Sequence, residues 1–266
     1  MSFSKYSQPA VVIHNLKFYD TDKMNPMGHI FIHGKKGSGK STVAGHIIYC
    51  ISKIGTGKIR RVAVMSGTES YNHAYEKNYG VKPEYIRNGF DKQFLETLVT
   101  HQQKKAALPN VGGNNPKNGL LIILDDLAFK KSIFEDELIM KIMYNGRHFN
   151  ITLMMIVQEP VSCPKSIRNS FEYIITTRES MPAQQKNLYE SYFGNFINLK
   201  TFVANLKHHT KENHVLWLDN SRNEDRVEDC IYTFKAPFRL DGEIIEITDE
   251  RHPEYELNRK RIQEKE

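Results

Sequence analysis

Cysteine is scarce in this chain of 266 residues: Cys50, Cys163 and Cys230 are the only three. Being odd in number and far apart, they support neither a disulfide framework nor a CxxC metal site. That usage fits a reducing compartment. Long apolar runs are missing too, since Leu120 to Leu124 and Ile151 to Val157 fall far short of the ~20 residues that cross a bilayer. No apolar segment of the signal-peptide kind lies behind Met1-Ser2-Phe3-Ser4-Lys5. A soluble intracellular protein with no membrane span is the expectation. Internal repeats are lacking, as is any His and Cys cluster with metal-ligand spacing. Charge is mixed in sign: 37 Lys and Arg against 31 Asp and Glu leave +6 and a pI near 9.0. This balance is compatible with a polyanionic partner and does not by itself identify one.

What remains is the composition of an ordinary globular protein, 39% hydrophobic and 26% charged, long enough for one large α/β core. A β-type run, Ala10-Val11-Val12-Ile13, opens the fold. Buried strands are expected at Ile30-Phe31-Ile32, Arg61 to Met65, Leu120 to Leu124, Ile151 to Val157 and Tyr173 to Thr177. Helices are expected from Lys40 to about Ile54, from Asp91 as N-cap to about Ala107, and from Ser132 to Tyr144. Two more fall around Ala183 to Tyr192 and Phe196 to Lys207, and two late strands, His214 to Leu218 and Cys230 to Phe234, read as a meander. Tyr71 to Gly80 is aromatic and polar with no clear periodicity, and Pro109 to Gly119 reads as a loop. Apolar strands without alternation, separated by helices, imply an α/β fold with a mostly parallel central sheet flanked by helices on both faces. Residues 1–248 read as a single domain, with its core at about 28–180, and the charged residues 249–266 as a tail.

The segment Gly34-Lys35-Lys36-Gly37-Ser38-Gly39-Lys40-Ser41 is a complete phosphate-binding loop, followed by Thr42 and a helical pattern. A strand–loop–helix junction aims backbone N–H groups and a helix N-terminus at one point, where a polyphosphate can be held. Lys40 would reach the β and γ phosphates, and the Ser41 hydroxyl would ligate Mg²⁺. ATP and Mg²⁺ are therefore the expected ligands. The strand Leu120 to Leu124 runs into Asp125-Asp126. Adjacent strand residues point opposite ways, so the two acids take different tasks: Asp125 the metal, Asp126 the attacking water. The alternative is a helix N-cap.

Gln158 ends the strand Ile151 to Val157, the place at which additional-strand P-loop ATPases put a polar side chain beside the γ-phosphate as a sensor; strands also often end in polar residues. Asn145-Gly146-Arg147-His148 closes the preceding helix, with Gly146 suited to a helix end. Arg147 would then stand at the active edge of the sheet and reach a neighbouring subunit's nucleotide. Otherwise it is a cation that favours the helix dipole. Arg168 is a second candidate for that task. For DNA phosphates the candidate cations are Lys104, Lys105, Lys117, Lys130-Lys131 and His208-His209, all of which also read as solvated surface.

The order GKKGSGKST, LLIILDD, YNGRH, ITLMMIVQEP, IRNSFEYIITTRE resembles the DNA-packaging ATPases of poxviruses and nucleocytoplasmic large DNA viruses, over about residues 28–180. Those enzymes belong to the FtsK/HerA branch of additional-strand P-loop ATPases. The resemblance implies a P-loop NTPase of the additional-strand type, forming a homo-oligomeric ring of five or six subunits. Such a ring hydrolyses ATP to push double-stranded DNA into a capsid, acting with a capsid or vertex protein at the viral assembly site in the host cell or in association with the virion. It also implies catalytic roles for Lys40, Asp126, Gln158 and, across the subunit interface, Arg147. Two other readings of the residues stay open. One is a small-molecule P-loop kinase using Arg168 and Arg178 on a lid; the other is a nucleotide-dependent switch that barely hydrolyses ATP.

Overall fold

The computed structural model describes residues 9–53, 59–107, 119–127, 131–222, 224 and 226–237. The expected charged tail, Lys117, Lys130 and the Lys131 side chain lie outside the described residues. Among the described residues eight strands form one sheet: β1 (His29–His33), β2 (Ile59–Ser66), β3 (Ile86–Asn88), β4 (Gly119–Asp125), β5 (Ile151–Val157), β6 (Phe171–Thr176), β7 (Val215–Asp219) and β8 (Ile231–Phe234). Among the described residues ten helices accompany them: α1 (Lys40–Lys53), α2 (Glu69–Asn72), α3 (Ala74–Tyr79), α4 (Lys92–Ala106), α5 (Lys131–Phe134), α6 (Glu137–Phe149), α7 (Lys165–Arg168), α8 (Pro182–Ser191), α9 (Leu199–His209) and α10 (Val227–Cys230).

The strand order is β3-β2-β4-β5-β1-β6-β7-β8. β1 to β6 are parallel, and β7 and β8 pair antiparallel at the far end. β5 thus stands between β1, which feeds the phosphate loop, and β4, which carries the acid pair. This is the additional-strand arrangement. Strands buried on both faces read as continuous apolar runs, and two cores account for that. On one face α1 and α3 pack Val43, Ile47 and Tyr75 against Ile30, Ile32 and Ile123. On the other, Leu95 of α4, Ile142 of α6, Leu188 of α8 and Phe202 of α9 join Phe31, Ile122 and Leu153.

Side-chain caps fix where α4, α6 and α9 begin. Asp91 accepts the Phe94 N–H at 2.9 Å, Asp136 that of Leu138 at 2.9 Å and Asn198 that of Thr201 at 2.8 Å, each cap stabilising its helix by about 1 kcal/mol. Among the described residues no helix is long and apolar enough to cross a membrane.

Several expectations need correction. Ala10 to Ile13 is not a strand: Ile13 N–H donates to Asn205 Oδ1 and the Asn205 amide donates to the Val11 carbonyl, so α9 side chains take the bonds a sheet would have used. The Ser132–Tyr144 pattern is two helices, α5 and α6, broken at Asp136. Gly119 begins β4 rather than ending a loop. Tyr71 to Gly80 belongs to α2 and α3, which meet at His73 in the left-handed conformation (φ 49°).

Candidate functional site

Parallel strands bring their carboxyl ends to one edge of the sheet, and the phosphate loop lies there between β1 and α1. Gly37 and Gly39 have φ of +75° and +87°, a region that L side chains rarely adopt, and open space surrounds both. The Gly34 N–H donates to the Val157 carbonyl at 3.1 Å, tying the loop to β5. The Lys40 ammonium donates to the Lys35 carbonyl at 2.8 Å, which holds it at the loop's mouth. Burial lowers the Lys40 pKa, and the charges of Asp125 and Asp126 oppose that shift. Lys35 behaves differently: its ammonium pairs with the buried Glu179 at 3.0 Å and with Ser180 at 3.0 Å, so it braces the loop against the β6–α8 connection.

A cleft of about 580 Å³ joins the parts, lined by Lys36, Gly37, Lys40, Ser41, Thr68, Tyr71, Asp125, Asp126 and Gln158. Both acids line this cleft together with the loop residues. They differ in conformation, since Asp125 ends β4 whereas Asp126 sits past it in the left-handed region (φ 52°). Asp125 is 7% exposed and accepts the Tyr75 hydroxyl at 2.9 Å. Burial pushes its pKa up to about 6; Asp126 and Glu69 add to that, while the Tyr75 bond and Lys40 work against it. Asp126 is more open and accepts the Gln158 amide at 2.6 Å. That bond joins the candidate water-orienting acid to the candidate γ-phosphate sensor.

The donor set decides which metal would suit the cleft. Ser41 and Asp125 offer hard oxygen atoms, and among the described residues no group of three or more His, Cys, Asp or Glu could hold a metal. Two oxygen donors beside a polyphosphate cradle fit Mg²⁺, which draws most of its shell from water and substrate phosphates.

Arg147 is not at this edge. α6 runs antiparallel to the strands, so its last turn lies beside the start of β5, at the amino-terminal edge. There Arg147 pairs with Glu172, whose other oxygen accepts the His29 N–H at 2.5 Å. Gly146 does not end α6 either; Asn150 caps it in the left-handed conformation. A Cβ at residue 146 would stand 2.7 Å from the Ile151 carbonyl oxygen, so glycine is there for close packing. Arg168 is occupied within the fold by the Cys163 carbonyl at 2.9 Å and the Ser191 hydroxyl at 3.0 Å. His209 is buried and donates to the Ile13 carbonyl at 2.7 Å, which removes it from the DNA-facing cations.

Sequence reasoning missed the residues that brace the site. His33, the last residue of β1, is fully buried, and burial lowers its pKa to about 4. The neutral ring donates from Nε2 to the Gln158 carbonyl at 3.1 Å and bonds the Thr176 hydroxyl through Nδ1 at 3.0 Å. Tyr75 and Tyr79 belong to the aromatic stretch Tyr71 to Gly80, but their targets in β4 and α1 lie far off in sequence.

With this geometry established, residues 16–235 match the model of the family described as Poxvirus A32 protein. The chain belongs to that family. A relative from Invertebrate iridescent virus 3, uncharacterized protein 088R, is 30% identical across 84% of this chain and 85% of its own length. Protein L437 of Acanthamoeba polyphaga mimivirus, also uncharacterized, is 27% identical across 82% and 76%. Among solved structures, the DNA-packaging ATPase B204 of Sulfolobus Turreted Icosahedral Virus superposes with a TM-score of 0.55 at 16% identity, over 81% of this chain and all of B204. The genome packaging NTPase B204 of Sulfolobus turreted icosahedral virus 2, in complex with ATP-gammaS, gives 0.53 at 18%, over 81% and 100%. These two likenesses establish the fold.

Proposed function

We propose that this chain is a viral genome-packaging ATPase that drives double-stranded DNA into a capsid. The observation carrying this reading is the cleft that unites Lys40 and Ser41 with Asp125, Asp126 and Gln158 on an additional-strand sheet. Membership of the A32 family supports it. Gly34 to Thr42 hold the polyphosphate through loop amides, and Lys40 neutralises charge on the β and γ phosphates. Ser41 and Asp125 are the residues that would hold Mg²⁺. When bound, the ion supplies charge neutralisation at the phosphate oxygens. Asp126 orients and deprotonates the attacking water, and the Gln158 amide fixes the rotamer of that carboxylate.

Arg147 keeps its proposed role in trans, on altered grounds. Its side chain is 59% exposed and lies at the edge away from its own cleft, so the nucleotide it serves belongs to the next subunit of a ring of five or six. Residues 1–248 act as one ATPase unit. Backbone phosphates are gripped by cations such as Lys104 and Lys105 in the last turn of α4. The partners are duplex DNA and a capsid or vertex protein at the viral assembly site.

Phosphate release by the purified chain, measured with and without duplex DNA, tests the reading. DNA should raise the rate, and Lys40→Ala should abolish it. A rate indifferent to DNA, with phosphate passed to a small acceptor, would replace the motor with a kinase.

A further inference from the structure

Two tyrosines outside the phosphate-loop and acid motifs hold both halves of the candidate metal pair. α3 presents Tyr75 and Tyr79 four residues apart on one helix face. The Tyr75 ring is 2% exposed, and its hydroxyl donates to Asp125 Oδ2 at 2.9 Å. The Tyr79 hydroxyl donates to the Ser41 carbonyl at 2.7 Å. The Tyr79 ring lies directly on α1, where a Cβ at Gly45 would stand 2.0 Å from it. α3 is itself pinned at its start: buried Glu69 accepts the backbone N–H of Tyr75 at 2.9 Å and of Glu76 at 3.1 Å.

We propose that Tyr75 and Tyr79 are positioning residues, and that α3 sets the spacing between the Asp125 carboxylate and the Ser41 hydroxyl. The proposal rests on reading the cleft as a Mg²⁺–nucleotide site. A carboxylate at the end of a strand can turn about χ1 and χ2. One hydrogen bond to Oδ2 selects a single orientation and leaves Oδ1 for a ligand. A phenol suits that task because it donates without carrying charge, whereas an ammonium or guanidinium would neutralise the carboxylate. Tyr79 does the matching work on the first turn of α1 by gripping the backbone of the residue that supplies the hydroxyl.

Tyr75→Phe tests this, because it keeps the ring in its slot and deletes the donor alone. The measurement is binding of a fluorescent non-hydrolysable ATP analogue to the full chain, first in EDTA and then across a Mg²⁺ titration. In Tyr75→Phe the affinity in EDTA should match wild type while the Mg²⁺ midpoint rises about tenfold, the usual cost of losing an outer-shell partner. Tyr79→Phe should move the same midpoint by less, since it acts through backbone. A Tyr75→Phe midpoint equal to wild type overturns the proposal, even with a lowered melting temperature, because a packing role alone would give that result. Wild-type protein that binds no analogue under any condition would instead remove the reading of the cleft.

Discussion

β1 carries a buried histidine at each end, and the surroundings of the two differ in what they leave available for chemistry. At the amino-terminal edge His29 sits beside Glu172 and Arg147, where a buried carboxylate meets a guanidinium of its own chain. At the carboxyl edge His33 sits beside the phosphate loop, where the similarly buried Asp125 accepts a phenol and feels the Lys40 charge, which opposes the effect of burial without cancelling it. A buried carboxylate is costly unless a cation compensates it; Arg147 does so directly at the first edge, whereas Lys40 does so only in part at the second, which leaves that edge open to what binds there. Structure is invested at one end of the strand and chemistry at the other.

The largest effect that could break this contrast concerns Arg147, whose edge is complete within one subunit yet is assigned a task in the next. Arg147→Ala should slow ATP turnover by about 10³-fold or more, in the range of an arginine supplied in trans. Mixing Arg147→Ala with Lys40→Ala subunits should restore part of the rate, since each supplies what the other lacks. Mixtures as slow as either parent would confine Arg147 to its pair with Glu172. Next in size, Asp126→Asn should cost about 10³-fold in turnover, as expected for loss of a general base, while nucleotide affinity stays near wild type. A large loss of affinity would make Asp126 a binding residue instead.

Smaller effects test the complete edge. Glu172→Gln removes the charge facing Arg147 but keeps an acceptor for the His29 N–H. Because Arg147 is largely solvated, the loss should be about 1–2 kcal/mol of stability, seen as a melting temperature lower by about 4 °C. Unchanged stability would mean that the pair is as weak as an exposed one.

Much of this division can be read from residues. The phosphate loop, the strand ending in Asp125-Asp126 and the Asp91 cap rest on local chemistry, and each stands where its own sequence puts it. Arg147 lies at the opposite edge of the sheet from the active edge expected of it. A helix that follows a parallel strand must return to the edge where the strand began, so the right edge was derivable. Ala10 to Ile13 has a strand pattern, but whether a sheet or an α9 asparagine takes its backbone bonds is a tertiary matter. Tyr75 shows the same limit: its partner is 50 residues away, and only the packing of α3 between β4 and α1 brings them together.

The smallest effect compares the two edges through protons. His29 and His33 both have pKa values lowered to about 4, burial being the main cause, so each is neutral in the fold and charged once unfolded below its ordinary pKa of about 6.5. Each therefore contributes stability that is present above pH ~6.5 and lost as pH falls towards 4. Asp125 works in the opposite sense. With its pKa raised to about 6, the folded chain takes up a proton that the unfolded chain does not, and stability is gained as pH falls through 6. Between pH 6 and 4 these three groups leave the unfolded state one proton richer, which makes stability fall by about 1.4 kcal/mol per pH unit. Asp125→Asn deletes the opposing proton, so the slope should steepen to about 2.7 kcal/mol per unit in denaturant unfolding at pH 4.5, 5.0 and 5.5. Parallel slopes for the two proteins would show that Asp125 titrates as an ordinary carboxylate, already satisfied by its own chain, and the asymmetry between the edges would go with it.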